Sequence, residues 1–330
     1  MRRFSLTAAI AILFFVPQLA SARPAQAGSP LATAQQQYQA GNFVQAVGTL
    51  QAAIGNGPQS AALYFWLGRC YFELRKFDDA APQFEKAIKL NGQVSDYHMW
   101  LGRTYGKQAG THHSLWLGLR TRKEFEKAVE LNPKNIPARR DLAQFYTQAP
   151  WILGGSKNKA KEQIAAITAL DPIQGSLAQA EYDRQTGNLA GSYAEYDKVL
   201  RQDRPRPEEY YEVADFYASH NNPHRLQRVI DAVARVAPHD PRLGYYRGVV
   251  LTIEGRQLNE AETYLKAYLA ATVSRTGYPS HADARTWLGL VYEGLGRRLE
   301  AAEQFRAALE INPHSSFAKK SLKRLEKQMK

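Results

Sequence analysis

One pattern of small and large residues occurs twice in this chain, more than 200 residues apart. The first copy contains Leu67-Gly68, Tyr71, Ala80 and Phe84, and the second contains Leu288-Gly289, Tyr292, Ala301 and Phe305. In each copy the first alanine follows the glycine by 12 residues. A pattern that recurs at a fixed length indicates repeated structural units, and it restricts the fold more than any other feature of the sequence.

The spacing within each copy predicts two short helices that pack against each other. Leu67 and Tyr71 are four residues apart, so they share one face of a helix. Ala80 and Phe84 have the same spacing on the second helix. The small Gly68 and Ala80 let the two backbones come close, while the large side chains fill the space beside them. A single hairpin leaves its outer apolar face exposed, so neighbouring hairpins must cover it.

These residues make the unit resemble the tetratricopeptide repeat (TPR), a helix-turn-helix unit of about 34 residues. The resemblance implies an all-α fold, a right-handed solenoid of about eight helical hairpins with a C-terminal capping helix. It places the solenoid at residues 31–314 and the capping helix at 315–330. The apolar residues Phe317, Leu322, Leu325 and Met329 are expected on one face of that helix, and lysines and arginines on the rest.

The first 27 residues have the features of a secretory signal peptide. Arg2 and Arg3 precede an apolar run over residues 4–16, and two sites with small residues follow. The run is too short to span a bilayer, which needs about 20 residues. We therefore expect cleavage after Ala22 or Ala27 and export to the periplasm or the extracellular space.

The chain is basic, with a formal net charge of +12. Loss of Arg2, Arg3 and Arg23 with the leader would lower this charge to +9. Export argues against nucleic acid as a partner and favours acidic proteins, anionic envelope polymers or lipid headgroups. A charge that only keeps the protein soluble is the alternative.

No motif for catalysis, metal binding or cofactor binding is present. Cys70 is the single cysteine, so neither an intrachain disulfide nor a cysteine-based metal site can form, and a buried, unreactive thiol is expected. The histidines do not have the spacing of metal ligands. The repeats occupy the chain after the leader, so we expect neither an enzyme nor a cofactor.

Two hairpins are longer than the others. From Gly102 to Phe125 the step is 23 residues, against 16 from Gly68 to Phe84, which predicts an inserted loop near residues 110–116. A second insertion is predicted near residues 150–155, followed by Ser156 as a helix cap. An enzyme with an unfamiliar site would have to use these insertions.

The resemblance also implies a concave groove, lined by the first helix of each repeat, as the place where a partner binds. The positions that the repeat register assigns to this groove are Phe65, Trp66, Arg69, Phe72, Met99, Trp100, Arg103, Lys107, Arg140, Asp141 and Gln144. Aromatic rings beside guanidinium groups suit a peptide with acidic and apolar residues. A sugar stacked on tryptophan would fit equally well, and packing of Trp66 and Trp100 between repeats is the structural alternative.

Some TPR domains clamp a chaperone's C-terminal carboxylate with lysines and asparagines. The corresponding positions here hold Phe65, Arg69, Trp100, Pro137 and Asp141, so that specificity is not expected. The sequence instead favours an exported scaffold or adaptor that binds a protein or peptide in the groove of repeats 2–4. The alternative is binding of an anionic glycan or a membrane surface through the basic face and the C-terminal tail.

Overall fold

The computed structural model describes residues 29–202, 206–271 and 275–329, which are almost entirely α-helical and contain no strand. The signal peptide expected at 1–27 lies outside the described residues. The α-helices are α1 Pro30–Gln39, α2 Phe43–Asn56, α3 Ala61–Glu73, α4 Phe77–Leu90, α5 Ser95–His112, α6 Leu115–Leu131, α7 Ile136–Gln148, α8 Lys157–Leu170, α9 Pro172–Thr186, α10 Leu189–Leu200, α11 Pro207–Ser219, α12 Pro223–Val236, α13 Arg242–Glu254, α14 Leu258–Ala271, α15 His281–Gly294, α16 Arg298–Ile311 and α17 Ser316–Met329.

Helices α1 to α16 pair into eight hairpins, numbered 1 to 8 along the chain, and α17 follows as a single final helix. Each hairpin therefore has a first and a second helix. The turn between them contains at least one residue with positive φ, namely Gly41, Arg75, His113, Gly154, Gly187, Asn221, Gly255, Gln257 or Gly296. This architecture is the one that the repeat pattern predicts.

The recurring glycine lies against an aromatic ring of the second helix. A Cβ atom at Gly68 would lie 2.8 Å from Cε1 of Phe84, and one at Gly102 would lie 2.7 Å from Cε1 of Phe125. Carbon atoms do not pack that closely, so only glycine permits this separation of the helices. Phe84 has no exposed surface. The predicted use of a small residue at the helix crossing is confirmed.

The first helix of each hairpin packs against both helices of the hairpin before it. The successive pairs α1 and α3, α3 and α5, and so on to α13 and α15 are all in contact. Among the described residues, the second helices of neighbouring hairpins make no comparable contact with each other. Because one row of helices is closer together than the other, the stack curves, and the first helices line its concave side. We call this concave surface the groove.

The connector between α14 and α15 reaches the N-terminal end of the solenoid. Nη1 of Arg275 donates a hydrogen bond to the carbonyl of Gln39, the last residue of α1, at 2.7 Å. The backbone N–H and Oγ1 of Thr276 donate to the carboxylate of Glu73, at the end of α3, at 2.8 and 3.1 Å. The connector therefore joins hairpins that are more than 200 residues apart in sequence.

The first insertion is not a loop, and the expectation of one near residues 110–116 is wrong. Helix α5 continues to His112, and α6 already begins at Leu115. The side chain of Ser114 accepts a hydrogen bond from the backbone N–H of Leu117 at 3.3 Å and so caps α6. Leucine and arginine favour helix, and they predominate after the cap. The extra residues therefore lengthen both helices of hairpin 3.

The second insertion forms a short 3₁₀ turn at Trp151–Leu153. Ser156 caps α8, as predicted, by accepting a hydrogen bond from the backbone N–H of Lys159 at 3.4 Å. Nη1 of Arg122 on α6 donates to the carbonyl of Leu153 at 3.1 Å. Helix α6, which the first insertion lengthens, is thus in contact with the second insertion.

Helix α17 covers the end of the stack, but its buried face differs from the expected one. Ala318 and Leu325 are fully buried and Ser321 almost so, whereas Phe317 is 36% exposed. Small residues face inward because α17 lies close to the helices it covers. The ring of Phe317 instead meets Trp287 edge-on, with 5.2 Å between the ring centroids. The side chain of Met329 lies outside the described residues.

Candidate functional site

A cavity of about 730 Å³ opens on the groove between hairpins 2, 3 and 4. Its aromatic lining residues are Phe72, Trp100, Phe125 and Phe145, and Thr276 of the connector also lines it. We call it the groove cavity. The groove residues expected from the sequence that line it are Phe72, Trp100, Arg103, Lys107, Asp141 and Gln144. The repeat register assigned these residues to the groove separately for each hairpin, and the structure shows that they line one cavity.

Five of the expected groove residues do not line the cavity, and two of these five lie in the hydrophobic core. Phe65 and Met99 are buried, with exposed fractions of 9% and 5%, in the core between hairpins 2 and 3. Trp100 is also largely buried, and its ring stacks on Phe84 and meets Phe72 edge-on at a centroid distance of 5.2 Å. Trp100 therefore has both roles expected from the sequence, since it packs between repeats and forms part of the cavity wall.

Trp66 and Arg69 belong to a separate cluster beside the groove cavity. The guanidinium carbon of Arg69 lies 4.6 Å from the ring centroid of Tyr38, 4.5 Å from that of Trp66 and 4.6 Å from that of Trp100. Nη2 of Arg69 donates to the hydroxyl of Tyr38, which donates to Glu73. Arg69 is therefore held by the fold, and contacts with aromatic faces stabilise its charge.

Arg103 forms an ion pair at the bottom of the groove cavity. Its Nε donates to Oδ2 of Asp141 at 2.5 Å, and its guanidinium carbon lies 4.9 Å from the ring centroid of Trp100. Burial raises the pKa of Asp141, and the neighbouring Arg103 opposes that rise. The pair joins α5 to α7 and fixes the width of the groove between hairpins 3 and 4.

Arg140 lies in a second, smaller cavity of about 310 Å³ between hairpins 4 and 5. Its Nη2 donates to Oε1 of Glu212 at 2.5 Å, and its Nη1 donates to Gln174 at 3.3 Å. Burial disfavours the charged form of Arg140, but the carboxylate of Glu212 outweighs this effect, so the pKa of Arg140 is raised. Like Arg103, Arg140 is already paired.

Three polar side chains of the groove cavity, unlike Arg103 and Arg140, form no ion pair or hydrogen bond with the described residues. Lys107, Gln144 and Gln148 are exposed, and their side chains have no hydrogen bond or ion pair with the described residues. The sequence assignment included the first two and missed Gln148. Extension of the register from Gln144 by one helical turn would have found it. No signal in the sequence pointed to Thr276, because its position depends on the curvature of the whole solenoid.

A carboxyl group with a raised pKa lies farther along the row of first helices. Asp215 on α11 accepts a hydrogen bond from the hydroxyl of Tyr246 at 2.6 Å. Part of its side chain reaches solvent, but desolvation of the carboxyl group raises its pKa to about 6, and the charges of Asp283 and Glu212 add to that rise. Three carboxylates, those of Glu212, Asp215 and Asp283, therefore influence one another on the first helices of hairpins 6 and 8.

We expect Asp215→Asn to change the pH dependence of stability. Because the folded protein binds the Asp215 proton more tightly than the unfolded chain, stability should decrease as the pH rises from about 4 to about 6. The variant lacks this loss and should be more stable above pH 6, by up to about 1 kcal/mol because solvent screens the charge. Thermal unfolding from pH 4 to pH 7 measures the difference. A variant that is less stable than the wild type across this range would contradict the assignment, as would a carboxyl titration midpoint near 4 in NMR.

The described residues show neither a metal site nor a membrane span. No group of three His, Cys, Asp or Glu side chains in this part of the chain converges as metal ligands would. None of the described helices is both long and apolar enough to cross a bilayer. Cys70 is buried, and burial raises the pKa of its thiol to about 12.

Stacked helical hairpins with a groove lined by their first helices define an α-solenoid. The tetratricopeptide-repeat family model matches residues 31–94, 71–108 and 254–316, so these segments are tetratricopeptide repeats. The repeats indicate a scaffold for protein–protein interactions, a class that is typically non-catalytic. The matched segments leave out residues 109–253, which contain both insertions.

Solved structures of TPR proteins resemble the chain at low sequence identity. A thermophilic TPR protein of Thermus thermophilus is 21% identical, with a TM-score of 0.45, over 53% of this chain and 90% of its own. A tetratricopeptide repeat protein of Parabacteroides merdae is 15% identical, with a TM-score of 0.44, over 90% of this chain and 97% of its own. The APC/C hetero-tetramer Cut9-Hcn1 is 14% identical, with a TM-score of 0.49, over 90% of this chain and 55% of its own. No curated protein sequence matches the chain.

Proposed function

We propose that this protein is an exported scaffold that binds an extended segment of a partner protein in the groove cavity of hairpins 2–4. The observation that carries the proposal is the combination, in one cavity, of an aromatic wall with polar groups that the fold leaves unpaired. The basic and apolar leader at residues 1–27 supports export.

The two glutamines of α7 suit a peptide backbone. Gln144 and Gln148 are four residues apart, so their side chains are separated by about 6 Å along the helix. Two residues of an extended chain cover about 6.6 Å. A carboxamide both donates and accepts hydrogen bonds, so each glutamine can pair with the N–H and C=O groups of alternate residues. The spacing supports an extended ligand over a helical one.

The remaining walls favour particular side chains on that ligand. Phe72, Trp100 and Phe145 offer apolar surface, and large apolar side chains supply much of the affinity at interfaces of this kind. The ammonium group of Lys107 is free to pair with a carboxylate, whereas Arg103 and Arg140 are already paired. We therefore expect a ligand with an apolar anchor and an acidic residue near it.

Selection of peptides from a displayed random library tests this function. We expect the selected peptides to combine an apolar with an acidic residue, and Lys107→Glu with Gln144→Ala and Gln148→Ala to weaken their binding at least about tenfold. The three side chains are exposed, so circular dichroism should be unchanged. Arg69 and Trp100 are unsuitable targets, because both are packed within the fold.

Lys89→Glu is the matched control, since Lys89 is an exposed lysine on the second helix of hairpin 2 and lies outside the groove. This variant makes the same charge change and should retain binding. A photo-crosslinking amino acid placed at position 148 should label the peptide, and one placed at position 89 should not. Peptides that bind the triple variant as tightly as the wild type would show that the groove cavity is not the binding site.

A further inference from the structure

The two insertions together expose a patch of large apolar side chains outside the groove. Its members, with their exposed fractions, are Leu115 60%, Trp116 61%, Leu119 41%, Trp151 85% and Ile152 59%. We call these five residues the insertion patch. An exposed cluster of this size on a folded protein usually marks a surface where something binds.

The members of the patch are neighbours because the 3₁₀ turn packs on α6. A Cβ atom at Gly118 would lie 3.0 Å from Cδ1 of Leu153, and Arg122 bonds the carbonyl of that leucine. Leu115 lies three residues before Gly118 on the helix, so it is next to the turn. Leu119 lies one helical turn after Leu115, so the two side chains are neighbours on α6. Trp116 lies three residues before Leu119 and is therefore its neighbour as well. The patch therefore runs from the 3₁₀ turn across the solvent side of α6.

The segments that form the patch carry an excess of positive charge. Residues 114–123 and 150–161, which form the patch and its borders, contain Arg120, Arg122, Lys123, Lys157, Lys159 and Lys161 and no aspartate or glutamate. Arg120 and Arg122 pair with carboxylates of α4 and α6. Each of the four lysines is exposed and has no ion pair with the described residues.

From this arrangement we infer that the insertion patch docks on a lipid surface with anionic headgroups. Tryptophan prefers the boundary between headgroups and acyl chains, where its ring is buried and its N–H group stays hydrated. Leucine and isoleucine enter the acyl region, and the bordering lysines meet the negative headgroups. Helix α17, the basic element expected from the sequence to reach a membrane, is less suitable because the fold already buries Ala318 and Leu325 of its apolar face.

This inference is independent of the proposed groove function. The groove cavity is bordered by other residues of the same α6 and 3₁₀ turn, such as Phe125 and Leu153, but none of the five patch residues lines it. A scaffold with both surfaces would hold a partner protein at a membrane.

Co-sedimentation with vesicles tests the inference. The wild type should bind phosphatidylcholine vesicles that contain about 30% phosphatidylglycerol, bind vesicles of pure phosphatidylcholine much more weakly, and lose affinity as salt is raised. Trp151→Ser with Ile152→Ser should lower the partition coefficient at least about tenfold. Lys123→Glu with Lys157→Glu should lower it on anionic vesicles only. The matched control is Val44→Ser with Leu299→Ser, which removes two side chains that are each 72% exposed elsewhere and should not change binding.

Quenching by brominated lipid locates the contact. Bromine on the acyl chains should quench the fluorescence of the wild type, which has five tryptophans, and most of this quenching should disappear in Trp116→Phe with Trp151→Phe. Equal binding by the wild type and the Trp151/Ile152 variant would overturn the inference. So would self-association of the wild type that Trp151→Ser abolishes while no vesicle binding is seen, because a second copy of the chain would then cover the patch.

Discussion

Arg242→Leu is expected to destabilise the protein by about 3–5 kcal/mol, a large effect for a single substitution. The guanidinium group is 7% exposed and donates three hydrogen bonds to Asp240, of which the shortest is 2.6 Å. Burial opposes its charge, but Asp240 outweighs that effect and raises the pKa of Arg242. Leucine would leave the carboxylate of Asp240, itself 11% exposed, without its partner. Chemical denaturation monitored by circular dichroism measures the loss.

The same substitution should free the connector between α14 and α15. Nη1 of Arg242 donates to the carbonyl of Gly277, and the guanidinium carbon lies 4.7 Å from the ring centroid of Tyr278. Since Thr276 of this connector bonds Glu73, hydrogen exchange should accelerate in residues 275–280 and at the end of α3. The edge of the groove cavity next to Thr276 should then become more open.

Two variants serve as controls for Arg242→Leu. Arg235→Leu removes an exposed arginine from the neighbouring hairpin and should change stability by no more than about 0.5 kcal/mol. Arg242→Leu combined with Asp240→Leu removes both charges and should recover part of the lost stability. If Arg242→Leu is as mild as Arg235→Leu, the buried ion pair does not hold this region together.

Gly68→Val is expected to cost about 1–3 kcal/mol through overpacking at the crossing of α3 and α4. A Cβ atom at Gly68 would lie 2.8 Å from the ring of Phe84. That ring cannot move aside easily, because it is fully buried and lies against Phe65 and Trp100. Thermal unfolding measures the cost, and hydrogen exchange should place the loosening in hairpin 2 and its neighbours, since each repeat packs mainly on the adjacent ones.

The origin of the Gly68→Val effect can be separated from helix propensity. Gly48 lies on an exposed face of α2 with no atom within 4 Å of an added Cβ, so Gly48→Val should be neutral or slightly stabilising. Adding Phe84→Leu to Gly68→Val should relieve the clash, and the two costs should not add. Strict additivity would mean that the glycine and the ring are not coupled as the structure indicates.

The sequence by itself determined the hairpins, because close approach of two helices needs glycine or alanine opposite a large ring. That requirement places Gly68 and Phe84 at a spacing that can be read without coordinates. The sequence also predicted the cap at Ser156, where a serine precedes a helix. The prediction of a loop at residues 110–116 was wrong, because the number of extra residues does not tell whether they form a loop or lengthen two helices.

The tertiary structure alone decided which groove residues are free. Arg69, Arg103 and Arg140 look alike in the repeat register, yet each is held by rings or carboxylates from other helices, while Lys107 is left exposed. Curvature accumulated over eight hairpins brings Thr276 to Glu73, and packing of the 3₁₀ turn on α6 joins two insertions into one patch. Such contacts depend on the relative positions of whole repeats, whereas a periodic pattern specifies only the interactions within a repeat and with the next one.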